Sequence, residues 1–264
     1  MLTQEEIECS MRASIADPRL EPQFFRDLLN ARVYVFVPVS DDHSKLRVVM
    51  FRQPTDGLHF IPFFTSEAQA LEALGSDRRM FTCDGRMLFE ATLGATLILN
   101  PNHESCIVYP EEVEALLTTG NVPHFATTVH EESREVCATP PDPVPEKLVR
   151  TLKQLYGSLP FVISARLIET FPPENPNSRT TVVCLEVRPP HAQRAARATA
   201  IALQTPQYDW GTKVDVLSSD PGKRPELFDI GTVIFERDPR LPDMDEIAPG
   251  IPARREVARH RPAG

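Results

Sequence analysis

Only a few residues of this 264-residue chain stand at spacings that could do chemistry. His124 and His130, followed by Glu131 and Glu132, can be drawn as a metal site. Zinc-binding histidine pairs, however, sit about three to five positions apart within ordered elements. A solvated linker accounts for this group better. Cys106 with His103 invites a nucleophile-and-base reading, since a thiolate needs a neighbouring base or a positive helix end. No third, orienting group is evident beside them. Asp84-Gly85-Arg86 at a helix start could hold an anion on exposed backbone N–H groups. The aspartate would repel that anion, and capping explains Asp84 more simply. Glu111-Glu112 is a carboxylate pair at another helix start, where the helix dipole accounts for it. No glycine-rich phosphate loop of the GxGxxG or GxxxxGK type occurs. The expected catalytic, cofactor and metal residues are therefore none, and the chain leans away from being an enzyme.

What remains are contact residues. Tyr208-Asp209-Trp210 carries the sole tryptophan in a loop. Such aromatics either anchor an interface or plug their own domain's core. Asn100 ends an apolar strand beside Pro101 and can make a turn through its side chain. Tyr208, Trp210, Asn100 and Arg86 are the candidate interaction residues.

The elements that must position them begin with Thr3, which caps a first helix with Glu6 as a capping box and an Ile7/Met11 stripe. Pro22 opens a second helix that turns Phe24, Phe25, Leu28 and Leu29 inward. Val33–Val37 and Leu46–Phe51 have strand composition and are expected to pair as a hairpin. Leu58–Phe63 is a third strand, and Thr65 or Ser66 caps the helix that follows. Arg79–Cys83 is a strand, Met87 to Leu93 a helix, Ala95–Leu99 a strand and Cys106–Tyr109 another. Pro110-Glu111-Glu112 opens a helix that ends before Gly120.

From Asn121 to Glu146 the composition turns polar and then proline-rich, with Pro140, Pro141, Pro143 and Pro145 near its end; 121–144 reads as a stiff spacer. A second domain, 145–237, opens with a helix carrying Leu148, Leu152 and Leu155. Strands at Phe161–Thr170 and Arg179–Val187, an alanine-rich helix at Ala192–Leu203, and strands at Thr212–Leu217 and Gly231–Phe235 complete it. Residues 238–264 read as a disordered tail whose arginines, Arg254, Arg255, Arg259 and Arg261, are locally basic. The expected fold class is α+β: two small mixed α/β domains, 1–120 and 145–237, each a mostly antiparallel or mixed sheet with helices packed on it.

A net charge of −9 disfavours binding to nucleic acid phosphates. The longest apolar runs are strand-length, far short of a bilayer span, and the N-terminus lacks the layout of a secretory signal. Five scattered cysteines without a CxxC pair fit reduced thiols in a cytoplasmic protein.

The order Pro62-Phe63-Phe64-Thr65-Ser66, then Leu97-Ile98-Leu99-Asn100-Pro101, then Pro110-Glu111-Glu112-Val113-Glu114-Ala115-Leu116-Leu117 resembles the N-terminal domain of the SseB (enhanced serine sensitivity) family. Phe25-Arg26-Asp27-Leu28-Leu29 before a strand fits as well, so the resemblance covers roughly residues 5 to 120. The second half looks like the family's C-terminal domain through Val162–Leu167 and Lys213-Val214-Asp215-Val216. The resemblance implies a link to bacterial serine tolerance and brings no catalytic residues with it. A noncatalytic accessory or regulatory protein acting on unidentified protein partners is the leading expectation, with homo-oligomers compatible. A sensor or enzyme of serine or sulfur amino-acid metabolism and a secretion-system adaptor stand as alternatives.

Overall fold

A computed structural model describes residues 2–39, 47–54, 57–74, 78–122, 136–204, 210 and 213–238. They form two α+β units, described over 2–122 and 136–238, each with its own sheet and helices.

In the first unit α1 (Gln4–Ala16) starts at the predicted capping box. The Thr3 N–H donates to Glu6 Oε2 at 2.8 Å, and the Glu6 N–H returns to Thr3 Oγ1 at 3.3 Å. The Thr3 N–H, and after it the Thr3 hydroxyl, which also donates to Glu6 Oε2 at 2.8 Å, favour the charged form and hold the Glu6 carboxyl below its ordinary range. α2 (Glu21–Asn30) buries Phe24, Phe25, Leu28 and Leu29. There follow β1 (Arg32–Pro38), β2 (Phe51–Arg52), β3 (His59–Phe64), α3 (Glu67–Ala73), β4 (Arg78–Asp84), α4 (Gly85–Ala91), β5 (Leu97–Leu99), β6 (Cys106–Val108) and α5 (Pro110–Thr119).

The sheet order is β4-β1-β3-β5-β6, with β2 also on β3. β3 and β5 run parallel and the other pairs antiparallel. The expected hairpin between Val33–Val37 and Leu46–Phe51 is corrected here. Among the described residues, β1 spends both edges elsewhere, on β3 and on the seven-residue register with β4 from Arg32↔Asp84 to Pro38↔Arg78. The second run keeps one bond to β1, from the Val49 N–H to Phe36 O at 2.8 Å, and its strand shrinks to Phe51–Arg52 on β3. α4 lies on one face of the sheet, where Phe89 meets Phe63 edge-on at 5.9 Å. α3 lies on the other, with Ala70 against Phe36 and Phe64.

α2 and α4 approach until no side chain fits between them. A Cβ on Gly85 would stand 2.0 Å from the Leu28 carbonyl oxygen, and the Gly85 N–H donates to Ala31 O at 3.0 Å. Glycine at the start of α4 is thus a packing requirement.

The second unit contains β7 (Cys137–Thr139), α6 (Glu146–Ser158), β8 (Val162–Phe171), β9 (Thr180–Val187), α7 (Ala192–Leu203), β10 (Val214–Ser219), α8 (Leu227–Ile230) and β11 (Thr232–Glu236). Its sheet runs β10-β9-β8-β11, with β7 on the far end of β8. β10 is parallel to β9 and the rest are antiparallel. Within the stretch read as a spacer, Cys137–Thr139 pairs with Glu169–Phe171 and Pro141 is buried. β8 is longer than β11, and its free end takes up this strand. Residues 123–135 of that stretch, with His124 and His130, lie outside the described residues, as do the arginines of the tail. α6 and α7 cover one face of the sheet, where Leu148, Leu152, Tyr156, Ala195 and Ala198 close on Ala165, Leu167, Val183 and Leu185.

Candidate functional site

β3 and β5, running parallel, deliver Thr65 and Asn100 side by side just past their C-terminal ends. Asn100 is wholly buried and has φ +46°, the left-handed region that asparagine tolerates better than most residues. Its Oδ1 accepts the Thr65 N–H at 3.1 Å, its Nδ2 donates to Thr65 Oγ1 at 3.1 Å, and Nδ2 also faces Met11 Sδ at 3.9 Å. The chain turns after Asn100, but through its backbone carbonyl, which accepts the His103 N–H at 3.0 Å, and not through its side chain. Its side chain, however, points inward as a latch joining β3, β5 and α1, rather than outward to a partner. Ser66, beside it, caps α3 by accepting the Gln69 N–H at 3.1 Å.

Asp84 Oδ1 accepts the Met87 N–H at 2.7 Å, so it caps α4 as expected. Arg86, in the first turn, is half exposed and pairs with Glu90 at 3.9 Å. A surface pair of this kind contributes about 0–1 kcal/mol and leaves Arg86 accessible. The His103 imidazole turns toward Glu72, Nε2 to Oε2 at 3.3 Å, while Cys106 Sγ lies 3.8 Å from Ile107 O. Glu112 is buried completely and accepts the Tyr109 N–H at 2.8 Å, closing the start of α5. Where the sequence offered a surface carboxylate pair, only Glu111 remains at the surface. Among the described residues, no three His, Cys, Asp or Glu converge as a metal would require.

Between the end of α4 and α5 runs a cleft of about 430 Å³ lined by Leu93, Gly94, Pro110, Glu111, Glu114, Leu117 and Thr118. Its walls are apolar and its rim is acidic.

Trp210 packs against the second unit's own core and donates its indole N–H to Leu203 O at 2.6 Å, the last residue of α7. The half-buried indole thus lies at the edge of its own unit's core and finds its acceptor at a helix end. Tyr208 lies outside the described residues. Burial pushes Tyr156 OH upward, with the 3.2 Å bond to Thr199 Oγ1 opposing. Arg237 ties down three carbonyls, those of Tyr156, Leu159 and Val162, at 2.7–2.8 Å; burial, then nearby Arg188, lowers its pKa.

The face of the second sheet opposite α6 and α7 was not read from the sequence. Register puts Leu217, Cys184, Arg166 and Val233 in one row across β10, β9, β8 and β11. The next row is Ser219, Glu186, Ser164 and Glu236, with Ser164 Oγ donating to Glu186 Oε2 at 2.9 Å. The four-residue α8 seals the other side of the face, where Phe228 packs on Ile168 and Cys184. Leu217 and Val233 stay 39% and 48% exposed, flanking Arg166. Arg166 Nε and Ser219 Oγ, both on this face, have no hydrogen-bond partner among the described residues. The signal lay in Ser164-Ala165-Arg166-Leu167, whose polar residues alternate toward the face that the helices leave uncovered.

Against known proteins, residues 10–115 match the family model described as the SseB protein N-terminal domain. Protein SseB of Escherichia coli (strain K12) and Protein SseB of Shigella flexneri are each 25% identical to the chain over 162 residues. That alignment takes in 60% of this chain and 63% of each relative, so the chain spans less than two thirds of their length. No solved structure matches the chain.

Proposed function

We propose that this chain, whose first unit matches the SseB protein N-terminal domain over residues 10–115, is a noncatalytic accessory or regulatory protein of the SseB family that works by binding another protein in the cytoplasm. The observation that carries this reading is the outer face of the second sheet. Leu217 and Val233 are exposed there on either side of Arg166, and Arg166 Nε and Ser219 Oγ have no hydrogen-bond partner among the described residues. Apolar flanks around a cation give a partner both area and direction. A guanidinium nitrogen that has no partner among the described residues gains from a carboxylate or carbonyl brought to it. Serine tolerance, which the family resemblance implies, is the phenotype in which the interaction is to be sought.

The test is affinity capture from the native cell with the intact chain and with a Leu217→Asp/Val233→Asp double variant. Both positions are at the surface, so the variant is expected to fold with an unchanged circular dichroism spectrum. A partner recovered by the wild type and lost by the variant supports the reading. A set of co-purifying proteins identical for both, or none at all together with a rise in Tm on adding serine, refutes it.

A further inference from the structure

β10 ends its sheet with an edge that no other described strand pairs, and its side chains suit a second copy of itself. It runs parallel to β9 in unbroken register from Val214↔Thr181 to Ser219↔Glu186. The Thr181 N–H donates to Lys213 O at 3.0 Å, which fixes the alternation of the ladder. Asp215, Leu217 and Ser219 therefore turn their backbone groups to β9, and Val214, Val216 and Ser218 turn theirs away from it. Among the described residues no backbone hydrogen bond meets those outward groups. Sheet edges are usually blunted by brevity, a bulge, proline or charge. β6 is three residues long, β11 is broken by a register shift between Val233 and Phe235, and β4 carries Arg78 and Arg79. β10 has no bulge, no proline and a single charge, Asp215. Val214 and Val216 are only partly buried against the core, and Leu217 on the outer face is 39% exposed. We propose that β10 pairs antiparallel with β10 of a second copy of this chain, about a two-fold axis that passes between the two Leu217 side chains, and so joins two five-stranded sheets into one.

Charge and apolar surface select the register. Centred on Asp215, the pairing would set two like charges directly opposite each other, which destabilises a strand pair. Centred on Val216, it would press each Asp215 carboxylate against a leucine that offers it no hydrogen bond. Centred on Leu217, it brings the two leucines together as a non-hydrogen-bonded pair, where side chains come closest. The same register sets Asp215 opposite Ser219, whose hydroxyl has no partner among the described residues. Val216 of each copy then exchanges ladder hydrogen bonds with Ser218 of the other. The axis is normal to the sheet, so both copies present their outer faces on the same side. The pairing goes beyond the partner reading and stands apart from it: it uses the backbone edge, and a change confined to that edge leaves the Leu217 and Val233 side chains in place for a partner.

The experiment uses the full chain. Sedimentation equilibrium over a series of concentrations is expected to give the wild type a mass that rises to twice the 29.6 kDa of one chain. Ser218→Pro removes one outward N–H and no bond to β9, and is expected to stay at the single-chain mass with an unchanged circular dichroism spectrum. Cysteines read the register in a Cys9→Ser/Cys137→Ser background, which removes the exposed thiols. Leu217→Cys in that background is expected to form a covalent dimer on oxidation, because the Cα atoms of a non-hydrogen-bonded pair stand within disulfide reach. Asp215→Cys and the background alone are expected to stay single on a non-reducing gel. A wild type of single-chain mass at every concentration, or a dimer that a folded Ser218→Pro variant retains, overturns the edge pairing. Asp215→Cys cross-linking as fast as Leu217→Cys overturns the register, and cross-linking of neither overturns the two-fold at this strand. The cysteine variants decide the question by themselves where Ser218→Pro does not fold.

Discussion

Asn100 is where the first unit is easiest to break by design, and replacing it by alanine, glycine and aspartate separates the reasons. In Asn100→Ala the Thr65 N–H, in a residue only 1% exposed, loses its acceptor at 3.1 Å. A buried donor left unpaired costs about 1–3 kcal/mol. Alanine must also hold φ +46°, which costs an ordinary residue a further ~1–2 kcal/mol. The expected loss is thus about 2–5 kcal/mol, a large part of the roughly 5–15 kcal/mol of a typical domain. For a unit of this size it lowers Tm by about 8–20 °C. Asn100→Gly loses the same hydrogen bonds without the strain, and should be less destabilised than the alanine variant by ~1 kcal/mol. Asn100→Asp keeps an acceptor for Thr65 but buries a charge, so its folded pKa rises above the unfolded value of about 3.9. Its stability is then highest at low pH and falls as pH climbs through the unfolded and then the folded pKa. Urea unfolding at pH 4.5 and 7, followed by far-ultraviolet circular dichroism, measures all three. The fluorescence of Trp210, which belongs to the second unit, serves as the internal control. An alanine variant within 1 kcal/mol of wild type would refute the latch. Alanine and glycine variants of equal stability would refute the strain, and a pH-independent aspartate variant would refute the burial.

Two further outcomes rest on backbone approach and on desolvation. Gly85→Ala puts a methyl 2.0 Å from the Leu28 carbonyl and should cost at least about 3 kcal/mol as α2 and α4 are forced apart. Gly157→Ala, in α6 with nothing within 4 Å, should instead be neutral or stabilising by up to ~1 kcal/mol; similar melting curves for the two would contradict the packing argument. Burial pushes the thiols of Cys83 and Cys184 up from 9.0 to about 12, with Asp84 adding to the rise at Cys83 and Arg166 opposing it at Cys184. At pH 8, iodoacetamide with mass spectrometry should therefore find Cys9 and Cys137, both exposed, alkylated first, and Cys83 and Cys184 only in urea. Because the folded thiols hold their protons more firmly, the unfolded chain ionises first and stability should decline as pH rises from about 9 towards 12. Labelling of all four at one rate in the native protein would overturn this.

Elements whose signal is local were legible from composition alone. The capping box at Thr3 and Glu6, the Pro110 start of α5, the cap at Asp84 and the limits of α7 at Ala192 and Leu203 all depend on residues a few positions apart. Strand partners depend on residues far apart. Val33–Val37 and Leu46–Phe51 look like a hairpin because they are neighbours in sequence, yet β4, more than forty residues along the chain, matches β1 over its whole length. The same limit hid the outer face of the second sheet. Arg166, Cys184, Leu217 and Val233 share a row only once the register of four strands is set, and nothing local to any one of them announces it.

The residues that carry the family resemblance explain why it identifies the chain more readily than it explains what the chain does. Pro62–Ser66 ends β3 and contributes Thr65; Leu97–Pro101 ends β5 and contributes Asn100; the two segments meet in the latch. Pro110–Leu117 opens α5 and contributes Glu112, whose buried carboxylate is satisfied by its own helix start. Each motif is therefore required by a backbone that must turn, or by a polar group that must be paired out of water, and such demands are met inside the fold. The surface proposed for a partner lies elsewhere, in the Leu217–Val233 row of the second unit, and in the first the cleft takes Pro110, Glu111, Glu114, Leu117 and Thr118 from a helix whose inward residues, Glu112, Val113 and Leu116, hold the fold. One helix thus lines the cleft and holds the fold with alternate faces. A change at the exposed Glu114 should leave the unit standing, whereas a change at the buried Glu112 should unfold it and remove the cleft as a consequence.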